Sequence, residues 1–78
     1  MAENLIFQYD REGDILYINR CSPYAEQDSE ELGDDVIARL NPQTGEIENL
    51  EVLFFSQRLQ DQTFLNLPIA AHFNLAVS

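Results

Sequence analysis

The sequence predicts an α+β domain of about four antiparallel strands in two hairpins, with a short helix and a packed C-terminal segment. Three observations carry that prediction. Stretches rich in Ile, Leu, Val, Phe and Tyr recur at strand length and are separated by turn residues. Asn41-Pro42-Gln43-Thr44-Gly45 divides two of these stretches and holds two strong breakers. After Leu53 the period changes, and Phe55 and Leu59 stand four apart, the spacing of one helical face.

In chain order, Leu5-Ile6-Phe7-Gln8-Tyr9 forms the first strand and Ile15-Leu16-Tyr17-Ile18-Asn19-Arg20 its return. Asp10-Arg11-Glu12-Gly13-Asp14 lies between them, with Gly13 expected at positive φ in a three-residue loop. That loop sets Asp10 opposite Asp14 and places Leu5, Phe7, Tyr9, Ile15 and Tyr17 on one face. Ile6, Leu16 and Ile18 fall on the other, so both faces call for cover: a helix, the C-terminal tail or another subunit.

Cys21 to Leu32 is read as a connection. Pro23 interrupts it, and Glu26 to Glu31 makes either a short helical turn capped by Asp28 or Ser29, or a loop. Gly33 ends it. Val36 to Leu40 and Ile47 to Leu53 form the second hairpin. Pairing Leu40 with Ile47 sets Arg39 opposite Glu48 and puts Asn49, Glu51 and Leu53 on the face of Val36, Ala38 and Leu40, with Ile37, Leu50, Val52 and Phe54 on the other. The helix is expected over residues 55 to 61 with Arg58 and Asp61 outward. Beyond it, Pro68 suits the first turn of a helix, while the alternation of Phe73, Leu75 and Val77 suits a strand. A tail this apolar is expected to pack on its own sheet or on a neighbour.

The chain has 78 residues, room for one domain with a thin stability margin. Residues 5–61 form its expected core and 62–78 a C-terminal extension. It carries 14 acidic residues against four arginines and a net charge of -10. That balance counts against nucleic acid, whose phosphates demand cations, and against anionic membranes. It permits a small basic protein partner or cation binding, and its simplest reading is a soluble, self-repelling surface. Cys21 is the only cysteine, which leaves no disulfide framework and fits a reducing, cytoplasmic setting. Met1-Ala2-Glu3-Asn4 lacks the basic and apolar regions of a signal peptide, and no apolar run spans a bilayer. No cofactor motif is present.

Tyr9-Asp10-Arg11-Glu12-Gly13-Asp14-Ile15-Leu16-Tyr17-Ile18 resembles the opening of DUF2283, a family of small bacterial domains of unknown function. Glu31 to Ile37 is similar to its second signature, an acidic run before a Val-Ile strand, and Gly45 to Leu53 to its third. The resemblance covers about residues 5 to 56 and treats the chain as one such domain. Arg39 stands where the family tends to be acidic, and Asn49 where it often has glycine. The resemblance implies a small α+β domain with no established activity. Through the family's association with genes for small toxin-like proteins, it also implies an antitoxin-like or partner-binding role.

Candidate sites are sparse. Asp10, Glu12 and Asp14 space oxygens as a calcium loop does, but glycine precedes Asp14 and Cys21 stands where the loop needs Glu. The three suit a turn. Asp34 and Asp35 are a carboxylate pair whose consecutive positions on a strand would point apart. Glu51 is the residue packing least predicts, a carboxylate mid-strand among apolar neighbours. Asn49 and Tyr17 are its candidate companions across the sheet. His72 stands alone, with no nucleophile to serve.

The primary expectation is a non-enzymatic protein-interaction module, homodimeric because two apolar faces on so small a sheet ask a second copy to complete the core. The alternative is a small ligand- or metal-binding protein or minor hydrolase that uses Glu51, Asp34 or Asp35 at an oligomer interface.

Overall fold

The computed structural model describes residues 4–62 and 64–76. Expectations that involve Met1, Ala2, Glu3 and Val77 lie outside them. The strands are β1 (Ile6–Asp10), β2 (Ile15–Asn19), β3 (Asp28–Gly33), β4 (Val36–Leu40) and β5 (Ile47–Leu53), followed by the helix α1 (Phe55–Asp61). They form one sheet in the order β1-β2-β5-β4-β3, with every neighbouring pair antiparallel. The two expected hairpins therefore join through β2 and β5, and β5 becomes the central strand.

A fifth strand replaces the expected acidic turn or loop. Asp28 to Glu31 pair with Leu40 to Ile37, and a bulge at Leu32 leads to Gly33 opposite Val36. A six-residue segment is too short to hold helix by itself, whereas β4 has a row of backbone groups to satisfy. Asp34 and Asp35 form the two-residue turn, both at positive φ (53° and 60°), as a type I′ hairpin requires.

Two register changes decide which face each side chain takes. In the first hairpin Asp10 pairs with Ile15 and Tyr9 with Leu16, one residue off the three-residue loop expected. The loop takes in Asp14, and Asp14 rather than Gly13 has positive φ (55°). Asp10 Oδ1 accepts hydrogen bonds from the Glu12 and Gly13 amides, and a Cβ on Gly13 would lie 2.9 Å from Asp10 Oδ2. A side chain at position 13 would thus press on the Asp10 carboxylate that holds the loop. In the second hairpin Leu40 does pair with Ile47, but Arg39 pairs with Asn49 and leaves Glu48 as an extra residue. Such a bulge reverses the facing of everything after it relative to a regular ladder. Asn49, Glu51 and Leu53 accordingly leave the face of Val36 and Ala38, which Leu50 and Val52 join.

The result is one apolar face and one mixed face. On the apolar side Leu16, Val52 and Val36 stand in one cross-strand row, and Ile18, Leu50 and Ala38 in the next. These six residues are the buried core. Leu32, Ile47, Phe55, Leu65, Leu67 and Ile69 pack against it, so β3, the start of α1 and the tail supply the cover. Burying each large apolar side chain is worth about 1.5–3 kcal/mol. The premise of two apolar faces is thereby corrected.

The helix occupies its expected range, but it points Arg58 toward the protein and leaves Leu59 exposed. Arg58 Nε donates to the Leu53 carbonyl at 3.1 Å, an acceptor at the end of β5 that apolar Leu59 could not use. Beyond α1 the described tail is neither helix nor strand; it runs irregularly over the core through Leu65, Leu67 and Ile69. Phe73 and Leu75 project from it, 84% and 87% exposed. Among the described residues, no helix is long and apolar enough to cross a membrane.

Candidate functional site

The mixed face follows from the same registers. Gln8, Tyr17, Glu51, Ile37 and Glu31 form a row across all five strands. The next row runs Ile6, Asn19, Asn49, Arg39 and Ser29. Tyr17, Glu51 and Asn49 therefore share one face in adjacent rows.

Glu51 has a specific companion. Arg39 Nε donates to Glu51 Oε2 at 2.7 Å, a diagonal pair between β4 and β5. Only 13% of the Glu51 side chain is exposed, against 36% for Arg39. The carboxylate among apolar neighbours is thus neutralised across the sheet. Arg39 also reaches the Ser29 hydroxyl at 3.5 Å, which links β3 to the pair.

Asn49 is 2% exposed and saturated. Its Nδ2 donates to Asn19 Oδ1 (2.9 Å) and to the Cys21 carbonyl (2.7 Å), while its Oδ1 accepts from Gln27 Nε2 (2.7 Å). Gln27 Nε2 also reaches Glu48 Oε1 at 3.0 Å. Glu48 accepts further bonds from the Tyr24 hydroxyl (2.6 Å) and from Asn41 Nδ2 (3.3 Å). The bulge makes this possible, because it presents Glu48 and Asn49 together to the segment between β2 and β3. The Tyr24 hydrogen bond, then those of Gln27 and Asn41, hold the Glu48 carboxyl below its ordinary range. The same carboxylate, with burial, pushes the Tyr24 hydroxyl up to about 12.

Among the described residues, every buried side-chain nitrogen and oxygen has a partner. This network therefore clamps the segment from Cys21 to Gln27 onto the sheet and leaves none of its buried side-chain donors or acceptors unmatched. Beside it, Gln8, Tyr17, Asn19 and Pro23 line an open depression of about 580 Å³ on the mixed face.

The remaining carboxylates sit elsewhere. Asp34 Oδ2 meets Arg58 Nη1 at 3.3 Å, and the Asp35 carbonyl accepts from the Leu53 amide at 2.9 Å. No hydrogen bond or ion pair joins either aspartate to Glu51 among the described residues. Asp14 accepts from the Tyr9 hydroxyl (2.6 Å), the Ser56 amide (2.9 Å) and the Ser56 hydroxyl (2.9 Å). The Tyr9 bond, then the Ser56 amide, lowers the Asp14 pKa, and the Asp14 bond raises that of Tyr9. Among the described residues, no group of three or more His, Cys, Asp or Glu is arranged to hold a metal ion.

The sequence does not single out Gln27 and Tyr24, and it places Glu48 opposite Arg39 instead of in this network. Glu48 sits in an alternating run that looks like an ordinary exposed strand face, and its bulge has no marker in the sequence. Gln27 and Tyr24 lie in a segment without periodicity.

The model of the family described as "Protein of unknown function (DUF2283)" matches residues 6–56. The match runs from the first residue of β1 to the second residue of α1, so it spans the whole sheet. Comparison with curated proteins and with solved structures finds no match.

Proposed function

The chain belongs to the DUF2283 family, and from that premise we propose that it is a non-enzymatic, cytoplasmic protein-interaction module, a homodimer with an antitoxin-like role toward a small basic protein. The observation that carries this reading is the acidic outer edge of the sheet. β3 is an edge strand, and Asp28, Glu30 and Glu31 are all exposed on it. Asp34 and Asp35 continue the acidic run around the turn. Among the described residues no cation lies within ion-pairing distance of Asp28, Glu30, Glu31 or Asp35. A basic helix or loop docking there would neutralise charge that the chain leaves uncompensated. The overall charge of -10 steers a cationic partner and disfavours nucleic acid and anionic membrane.

Co-purification with a small basic protein encoded beside this one tests the reading. Binding that weakens steeply with salt, and weakens again in a Glu30→Lys, Glu31→Lys double variant, is the expected result. Binding indifferent to both would overturn it.

A second reading rests on the Tyr17–Glu51 register. A small ligand or cation over the depression would meet Tyr17, with Asn49 and Glu51 behind it. Loss of binding of that ligand in Glu51→Gln separates this reading from the first. A carboxylate site that uses Asp34 or Asp35 needs a second copy to bring it to Glu51, since the single chain makes no such contact among its described residues.

A further inference from the structure

The two edges of the sheet are built differently. β3 carries three carboxylates in six residues and a bulge at Leu32, both of which resist strand addition. β1 carries no charge from Ile6 to Tyr9 and pairs with β2 in unbroken register. Among the described residues nothing pairs with its outer side. Ile6 and Phe7 are 57% and 61% exposed although they are strand residues of an apolar segment. An undefended edge of this kind invites another strand.

Charge selects the occupant. A chain at -10 repels its own copies over most of its surface. A basic partner has the acidic β3 edge to choose. The uncharged β1 edge is the place where a second copy approaches with least repulsion. Consider an antiparallel pair about a two-fold axis at Phe7. Tyr9 then faces Leu5 of the other copy, and Asp10 faces its Asn4. The two Asp10 carboxylates stand six strand positions apart, about 20 Å, beyond the screening length of roughly 8 Å at physiological salt. The corresponding β3 pair would instead set Glu30 against Glu30 at about 5 Å. Phe7 and Tyr9 lie on the apolar face, so the joint would extend that face from one copy into the next.

We infer that two copies of this chain join through their β1 edges into one continuous ten-stranded antiparallel sheet, leaving both acidic β3 edges outward for a basic partner. The inference deepens the interaction-module reading and rests on it only for the use of β3.

Sedimentation equilibrium of the full chain over a wide concentration range tests the joint. The expected result is a species of twice the 9.0 kDa chain mass. Ile6→Glu with Phe7→Glu raises the dimer dissociation constant by more than about 100-fold, because two-fold symmetry introduces each charge twice. Glu30→Lys leaves the dimer intact. A monomer at all concentrations, or a dimer unaffected by the β1 changes, would overturn the inference. Should the β1 variant lose its fold by circular dichroism, amide exchange of the unaltered chain decides. The alternate amides of residues 5 to 10 that point away from β2 must gain protection as concentration rises, and constant exchange there sinks the joint. A chain that dimerises through β1 but ignores the basic protein defeats the functional reading alone. A monomer that binds it in a salt-sensitive way defeats the joint and the homodimer, and leaves the partner-binding reading standing.

Discussion

Asp14 caps a helix that begins 41 residues further along the chain, by accepting the Ser56 amide and the Ser56 hydroxyl, each at 2.9 Å. The Asp14 carbonyl takes the Phe55 amide as well, at 3.0 Å. Phe54, the residue at the cap position, offers no side-chain acceptor and sits at positive φ. The loop of the first hairpin therefore satisfies the orphan donors of α1. Asp14→Ala is expected to lower the melting temperature by about 5 °C and to diminish the helical signal. Ser56→Ala, which keeps the amide, should do less. The Asp14 pKa is lowered in the folded state, so its contribution is present above the ordinary value of 3.8 and disappears as pH falls through the folded value. Acid titration of stability in the wild type and in Asp14→Ala checks this; parallel curves would contradict the cap.

Tyr24 and Glu48 give the fold a pH signature at both ends. Glu48 is held low, so its contribution stands above the ordinary value of 4.5 and is lost as pH falls through the folded value. Tyr24 is raised from 10.0 to about 12, so its contribution is complete below pH 10 and is lost as pH rises toward 12. Tyr24→Phe should therefore be less stable than wild type at pH 7, with the gap closing between pH 10 and 12. Spectrophotometric titration of the tyrosines should also lose its latest-ionising component in that variant. A gap that stays constant to pH 12 would show that the hydroxyl does not bind Glu48.

Elements whose signals are local were legible in the sequence, while relations set by register were not. Pro42 and Gly45 mark the second turn, and the spacing of Phe55 and Leu59 marks α1, so both are placed correctly. The acidic Asp28–Glu31 stretch hides a strand, because an edge strand is defended with the same residues that fill loops. The bulge at Glu48 leaves no trace in composition, yet it decides the facing of Asn49 and Glu51. Tyr17, Asn49 and Glu51 could be grouped only as possible neighbours; the β2–β5 pairing that joins them is long-range. Arg39 was legible as a cross-strand cation, but its acceptor was misplaced by the bulge, at Glu48 instead of Glu51.

The Arg39–Glu51 pair can be weighed by a double-mutant cycle with Arg39→Met and Glu51→Gln. One partner is mostly shielded and the other partly exposed, so the coupling should be about 1 kcal/mol, above the usual surface pair. It should shrink only slightly in high salt, because the Glu51 side is shielded. A coupling indistinguishable from zero in urea titrations would mean that Glu51 is held by the strand alone. The Glu51 carboxylate would then be a better candidate for a ligand contact.

Asn49 offers the most severe test of the network. Its side chain is the junction of three segments: Asn19 on β2, Cys21 just after it, and Gln27 before β3. Asn49→Ala strands the Gln27 donor and the Asn19 and Cys21 acceptors in a site with little water, at a cost of about 2–3 kcal/mol. For a domain of this size that is a fall of about 10–20 °C in melting temperature. Asn49→Asp keeps the shape and the bond from Gln27 but replaces the two donated bonds with carboxylate facing oxygen, so it should be at least as damaging at neutral pH. Its deficit should ease as pH falls and the new carboxyl takes a proton. Gln27→Ala combined with Asn49→Ala should cost less than the sum of the two, since each alone strands the other. Strict additivity, or a loss below about 0.5 kcal/mol for Asn49→Ala, would show that the segment from Cys21 to Gln27 is held by backbone contacts and that Asn49 fills space.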